Sequence, residues 1–228
     1  MSVNVREPGN RQVVARAILD AARDLFIADG YQHVSIRKIA ERIEYSPAAI
    51  YRYFASKDDI FLALAEEGFR LLADRTLAPV DTRDPVESIR QAFWGYYEFS
   101  KVHPEYFALM FLDRRVPRIS RDWERFAFVR EMRGALSARV SECMAAGAFP
   151  PTTDPEAAFS ILATAIHGAA VIRLCSRLTP GQDADALARD ALEAAITGLR
   201  AGSPITFVPT ARCPVVHENP SSISRGAS

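Results

Sequence analysis

The sequence predicts an all-α protein: an N-terminal three-helix, helix-turn-helix domain joined to a larger helical ligand-binding and dimerisation domain. Three observations carry this reading. Apolar residues recur at spacings of three and four through most of the chain, the repeat of one helical face. Helix-start signals recur at Ser46-Pro47, Ser56, Asp84-Pro85 and Asp154-Pro155, where a side-chain oxygen can cap the first turn and proline suits its first position. There is no internal repeat and no glycine-rich phosphate loop, and the β-like run at residues 205–208 is too short and isolated to count as a strand.

In chain order, the first helix is predicted over residues 11–29, with Val14, Ile18, Ala21 and Leu25 on one face. Gly30 closes it, because glycine enters the left-handed region at no steric cost. Ser35 caps a short second helix burying Ile36, Ile39, Ala40 and Ile43. Glu44-Tyr45 forms a turn, and Ser46-Pro47 starts a third helix that carries Ile50 and Phe54 inward and leaves Tyr45, Ala48, Ala49, Arg52 and Tyr53 largely free. Ser56 with Asp59 is a capping box opening a long helix through Ile60, Leu64, Phe69 and Leu72. Further helices are predicted from Asp84-Pro85 to about Lys101, from Pro104 to about Leu112, from Asp122 to Ala145, from Asp154-Pro155 to Ser176, and over residues 184–200 before Gly202. Residues 203–228 lose all periodicity and read as a flexible tail.

Bulk properties narrow the function classes. With 28 basic against 28 acidic residues the chain is formally neutral, so only local charge can point to a nucleic acid. Residues 31–57 hold Arg37, Lys38, Arg42, Arg52 and Lys57 against Glu41 and Glu44, a modest basic surplus. Three cysteines at wide spacings fit neither a disulfide framework nor a zinc site, and Cys143 and Cys175 read as buried hydrophobes. With no signal-like apolar stretch at the N-terminus, the expected setting is cytoplasmic. The uncharged run at residues 157–172 is 16 residues long, short of the roughly 20 a membrane span needs, so a buried helix is expected and no membrane partner.

Function concentrates at residues 35–54. Two short helices joined by a tight turn, the second capped and exposing small and aromatic residues beside basic ones, suit a major groove about 12 Å wide, which admits a single helix. The run Val34-Ser-Ile-Arg-Lys-Ile-Ala-Glu-Arg-Ile43, then Tyr45-Ser-Pro-Ala-Ala-Ile-Tyr-Arg-Tyr-Phe54 and Ser56-Lys57, closely resembles the TetR family of regulators, across about residues 12–72. The segments at residues 103–111 and 165–168 look similar to parts of one group of TetR C-terminal domains, although the tryptophan often found before that histidine-glycine pair is absent. The resemblance implies a DNA-binding domain at residues 11–57 and an effector-binding, dimerising domain at residues 58–202. It implies that the hydroxyls of Ser35 and Tyr51 and the charge of Lys57 hold phosphates, and that Arg37 reaches a base or nearby backbone. Tyr45, Ala48, Ala49 and Tyr53 would face the groove, beside the Ser46-Pro47 helix start. It further implies a homodimer on a palindromic double-stranded operator, a repressor released by a small-molecule effector.

For the rest of the chain, Trp94, Tyr97, Phe107, Met110 and Phe111 are the candidates to line a pocket for an apolar effector, although aromatics at helical spacing are more often packing. The alanine-rich helices after residue 155 predict a dimer contact through Phe159, Leu162, Ile166, Ala170, Leu187, Ala191, Ala195 and Leu199. His167 reads as packing at a helix contact. Metal-ligand spacing and nucleophile motifs are lacking, so neither cofactor nor catalytic residue is expected. Two alternatives stand beside the regulator: a helical interaction protein without DNA binding, and an enzyme on a helical fold using His103 or His167.

Overall fold

Helix boundaries follow the caps. The computed structural model describes residues 8–112, 127–203 and 205. In it α1 spans Pro8–Asp29, α2 Ile36–Arg42, α3 Pro47–Ile50, α4 Lys57–Thr76, α5 Pro85–Val102, α6 Pro104–Phe111, α7 Ala127–Ala145, α8 Pro155–Leu174 and α9 Ala184–Arg200. Side-chain oxygens of Ser35, Ser46, Ser56, Asp84 and Asp154 accept from first-turn amides at 3.2, 3.2, 3.1, 2.9 and 2.7 Å, each such cap contributing about 1 kcal/mol. Asp183 caps α9 in the same way. The expected start of the seventh helix near residue 122, together with nearly all of the tail expected from residue 203, lies outside the described residues.

One connected apolar core runs from Val14 to Leu199. In it α5 is central, packing against α4, α6, α7, α8 and α9, while α8 and α9 pack along each other. At the N-terminal end Phe26, Tyr31 and Phe61 form an aromatic trio with ring centroids 5.3–5.9 Å apart. Phe61 belongs to α4, so the packing of the N-terminal helices reaches beyond residue 57. Gly30 has φ +79° and turns the chain into a 3₁₀ segment, Tyr31–His33, that drives Tyr31 into this trio.

Several local expectations are corrected. The third helix is a single turn, because after Ile50 the bonds tighten to Arg52 N–H on Ala49 O at 3.3 Å and Tyr53 N–H on Ile50 O at 2.9 Å. Tyr45 and Tyr53 are half-buried against the core instead of free. Cys143 is buried but Cys175 is exposed, because it ends α8 on the turn to solvent. Of the eight residues expected at a dimer contact, Leu162, Ile166, Ala170 and Leu199 are buried inside the protomer and so offer no surface to a second copy. Phe159 packs on Phe93 at 6.0 Å with the Arg133 guanidinium over it. Leu187, Ala191 and Ala195 remain half-exposed. Among the described helices only α8 is long and apolar enough to cross a membrane, and its buried stripe includes Ala158, Leu162, Ile166 and Ala170.

Candidate nucleic-acid interface

The turn between α2 and α3 is built from backbone bonds. Glu44 adopts the left-handed region at φ +58°, and Tyr45 N–H reaches back to Ala40 O at 2.9 Å, which folds the chain sharply before Ser46 restarts it. Ile39, Ala40 and Ile50 are fully buried, anchoring both helices to the core. What stays outside along this stretch is Ser35 at the cap of α2, Arg37, Glu41 and Arg42 on it, Glu44 in the turn, then Ser46, Pro47 and Ala48, then Tyr51 and Arg52, with Ala49 half-exposed. Tyr51 is 56% exposed, so its ring is surface and not core.

The basic residues of this region are unequally committed. Arg37 Nε donates to Glu41 Oε1 at 2.8 Å, with the arginine side chain 81% exposed. Its pKa is raised by that bond and by the Glu41 charge. A pair so open to water exchanges readily for another anion. Lys38 bonds Asp29 at 2.7 Å. Lys57 is the clearest departure. Its ammonium donates to Tyr31 O at 2.8 Å and Val34 O at 2.9 Å and lies 4.1 Å from the Tyr31 ring centroid, while burial lowers its pKa against the opposing Asp58 charge. Two of its three ammonium donors are thus committed to backbone carbonyls, so Lys57 fastens the loop between α1 and α2. Arg42 and Arg52 are exposed and carry no hydrogen bond or ion pair among the described residues.

The residues expected to line an effector pocket do not converge on one space. Phe107 and Phe111 pack 5.0 Å apart with His167, whose ring stacks on Phe107 at 5.4 Å and meets Phe111 edge-on at 5.3 Å. Tyr96 completes this nest, its hydroxyl 2.8 Å from His167 Nδ1. Trp94 and Tyr97 sit elsewhere on α5, 5.0 Å apart. The Tyr97 hydroxyl donates to Asp185 at 3.0 Å; Trp94 opens onto a surface cavity against α9. Met110 lies against Gly68 of α4. The split follows from helix geometry: at 100° per residue Trp94 and Tyr97 lie about 60° apart on one face of α5, whereas Tyr96 is turned about 160° from Trp94 and about 100° from Tyr97, so successive aromatics of the 18-residue helix meet different neighbours.

Two family models match this chain. Residues 18–64 match the bacterial regulatory proteins of the tetR family, and residues 89–195 match the tetracyclin repressor-like C-terminal domain. Together they cover more than half of the chain. The chain belongs to the TetR family. Curated helix-turn-helix-type regulators match over shorter stretches. The transcriptional regulator TcmR of Streptomyces glaucescens is 34% identical over 97 residues, covering 40% of each chain. The transcriptional repressor Rv1474c of Mycobacterium tuberculosis is 40% identical over 58 residues, covering 25% of this chain and 31% of its own. The matched stretches thus span well under half the length of these relatives. Solved TetR structures share the fold at lower identity. The regulator PfmR of Thermus thermophilus superposes with a TM-score of 0.64 at 20% identity, over 80% of this chain and 98% of its own. The fatty acid degradation regulator FadR of Bacillus halodurans superposes at 0.69 and 18%, over 86% and 99%.

Within this TetR-family chain the structure adds residues that sequence reasoning had not placed in a site. Arg52, just past the end of α3, is exposed beside Tyr51, a position the sequence left free without assigning it a contact. Tyr96 and His167 lie 71 positions apart, and no periodicity within either helix could pair them.

Proposed function

We propose that this chain is a DNA-binding transcriptional regulator that acts in the cytoplasm as a homodimeric repressor on a palindromic operator and is released by an apolar small molecule. The observation that carries it is the pair of capped helices whose exposed residues are hydroxyl, small, aromatic and basic, beside a turn that holds them at a fixed angle. Ser35, Ser46 and Tyr51 supply phosphate-binding hydroxyls. Arg37 and Arg52 supply charge, with Arg37 exchanging Glu41 for the DNA, and Pro47, Ala48 and Ala49 allow close approach to the groove. Tyr45 and Tyr53 contribute their exposed edges, and Lys57 contributes by holding the loop that positions Ser35. Phosphate contacts set the register and base contacts the specificity.

The dimer face is reassigned from the buried residues to two stripes on helices that pack together: Ile161, Ala165, Gly168 and Ile172 of α8, and Leu187, Ala191, Ala194 and Gly198 of α9. All are half-exposed or exposed, and a Cβ added at Gly168 would meet no atom within 4 Å. The effector is placed beside the Phe107, Phe111, Tyr96 and His167 nest, where one polar pair lies within aromatic walls. In the dimer the reading helices would stand about 34–36 Å apart, one turn of DNA.

Fluorescence anisotropy on a palindromic fragment from the chain's own upstream region, at two salt concentrations, tests this reading. Affinity is expected to fall steeply as salt rises, since each neutralised phosphate releases counterions. Arg37→Ala and Tyr51→Phe are expected to weaken binding with dimerisation unchanged. Salt-independent binding, or no effect of either substitution on affinity, would overturn it in favour of an interaction protein.

A further inference from the structure

A cavity of about 310 Å³ lies between α5 and α9, lined by Glu87, Arg90, Gln91, Trp94, Arg189, Leu192 and Glu193. It is apart from the Phe107–His167 nest and from the α2–α3 patch. The four α5 residues fall at intervals of three, one and three, and the α9 residues at three and one, so each helix turns one face to the space. Its apolar wall is the Trp94 indole and Leu192.

The polar groups around it divide into spent and unspent. Arg90 is clamped by Glu87 and by both oxygens of Glu193, and the other Glu87 oxygen accepts from the Gln91 amide at 2.8 Å. The carboxylates are therefore saturated by groups of the wall itself. Arg189 differs. Its guanidinium lies 5.1 Å from the Trp94 ring centroid and makes no hydrogen bond or ion pair among the described residues. The cavity thus presents an aromatic face, an aliphatic floor and one guanidinium whose charge is felt by the Asp185 carboxylate but whose donors are not taken up by a hydrogen bond among the described residues.

We propose that this cavity is a binding site for a planar aromatic carboxylate of one or two rings, separate from the effector site. The ring packs on Trp94 and Leu192, and the carboxylate takes the two parallel N–H donors of Arg189, the geometry in which a guanidinium recognises a carboxylate best. The volume sits at the low end of small-molecule pockets, which limits the ligand to that size. Around α9 Arg189 is two residues, about 200°, from both Leu187 and Ala191, and Glu193 is about 200° from Ala191 and about 240° from Leu187, so that part of the proposed dimer face points away from the cavity. A bound ligand would bridge α5 and α9, adding to the link that Arg90 and Glu193 already make.

Calorimetric titration of the full chain with 2-naphthoate tests this. Saturable one-site binding is expected, weakened at least about tenfold by Arg189→Gln, the loss of one charge-assisted bidentate contact. Arg189 is exposed, so the substitution leaves the fold intact. 2-Naphthamide is expected to bind correspondingly more weakly than the acid. Phe107→Leu, which alters the interior nest while keeping it filled, is expected to leave the affinity for 2-naphthoate unchanged in a chain whose circular dichroism matches the parent. Absence of saturable binding, equal affinity in Arg189→Gln, or loss of binding in folded Phe107→Leu would each overturn the proposal. None of these outcomes bears on operator binding, which is read separately by anisotropy.

Discussion

Two residues carry effects that their contacts alone do not display. Glu44 holds φ at +58°, where a Cβ costs about 1–2 kcal/mol relative to the right-handed regions. Glycine there would remove the strain, at the cost of extra freedom in the unfolded chain. Glu44→Gly is expected to stabilise by up to about 1 kcal/mol, read as a higher urea midpoint with unchanged slope; a lower midpoint would refute the strain. His167 links stability to pH. Burial lowers its pKa from the ordinary 6.5, so the unfolded chain binds the proton more tightly. Its contribution is complete above pH 6.5 and is lost as pH falls towards the lowered folded value, by up to about 1.4 kcal/mol per pH unit. Asp185 and Glu193 are held below the usual carboxylate range by their bonds to Lys101 and Arg90, and they add an acid loss only at lower pH. Melting temperatures at pH 7.5 and 5.5 should differ in the parent chain and differ less in His167→Gln; equal differences would show that His167 is not the titrating group.

At the scale of elements, α4 joins the two halves and is held at three levels. Near its start Phe61 enters the aromatic trio. At mid-length both Glu67 oxygens accept from Arg16 Nη1 of α1 at 2.8 Å, and beside this pair Arg23 of α1 lies over the Tyr106 ring of α6 at 5.8 Å. At its end Arg139 of α7 donates to Thr76 O at 3.4 Å, a cation on the negative end of the helix dipole. Two glycines permit the close contacts. A Cβ at Gly95 would come within 2.6 Å of Arg75 O, which is backbone, whereas one at Gly68 would meet Met110 Sδ at 2.5 Å, the movable end of a flexible side chain. Gly95→Ala is therefore expected to destabilise by about 1–3 kcal/mol. Gly68→Ala should stay within about 1 kcal/mol of the parent, since helix propensity gained offsets the shift of Met110. Denaturant curves check both, and equal losses would show that α5 does not rest on the end of α4.

For the whole molecule, the question is which side of the α8–α9 pair is inward. Leu162 is fully buried, so Leu162→Ala is expected to cost about 2–5 kcal/mol through the cavity it leaves. Ala165, about 60° around α8 from Leu162, is half-exposed at the edge of that buried stripe. Ala165→Glu is expected to abolish dimerisation while leaving the protomer folded, because it places a charge in an apolar contact. Sedimentation velocity beside circular dichroism separates the two. A stable dimer of Ala165→Glu would move the interface elsewhere.

The amino-acid sequence by itself determined where most of the helices begin, because caps at Ser35, Ser46, Ser56, Asp84 and Asp154 and the three-four apolar repeat act within a few residues of chain. It also carried the α2–α3 motif, whose buried and exposed positions are set by one short turn. Only the tertiary structure decided which face of α8 and α9 is core, since both helices are apolar on more than one side and periodicity cannot choose between them. The same holds for Lys57, whose charge is claimed by carbonyls of Tyr31 and Val34 more than twenty positions away, and for the separation of Trp94 from Phe107. Those outcomes depend on which distant groups arrive at each surface, a property of packing that no local pattern encodes.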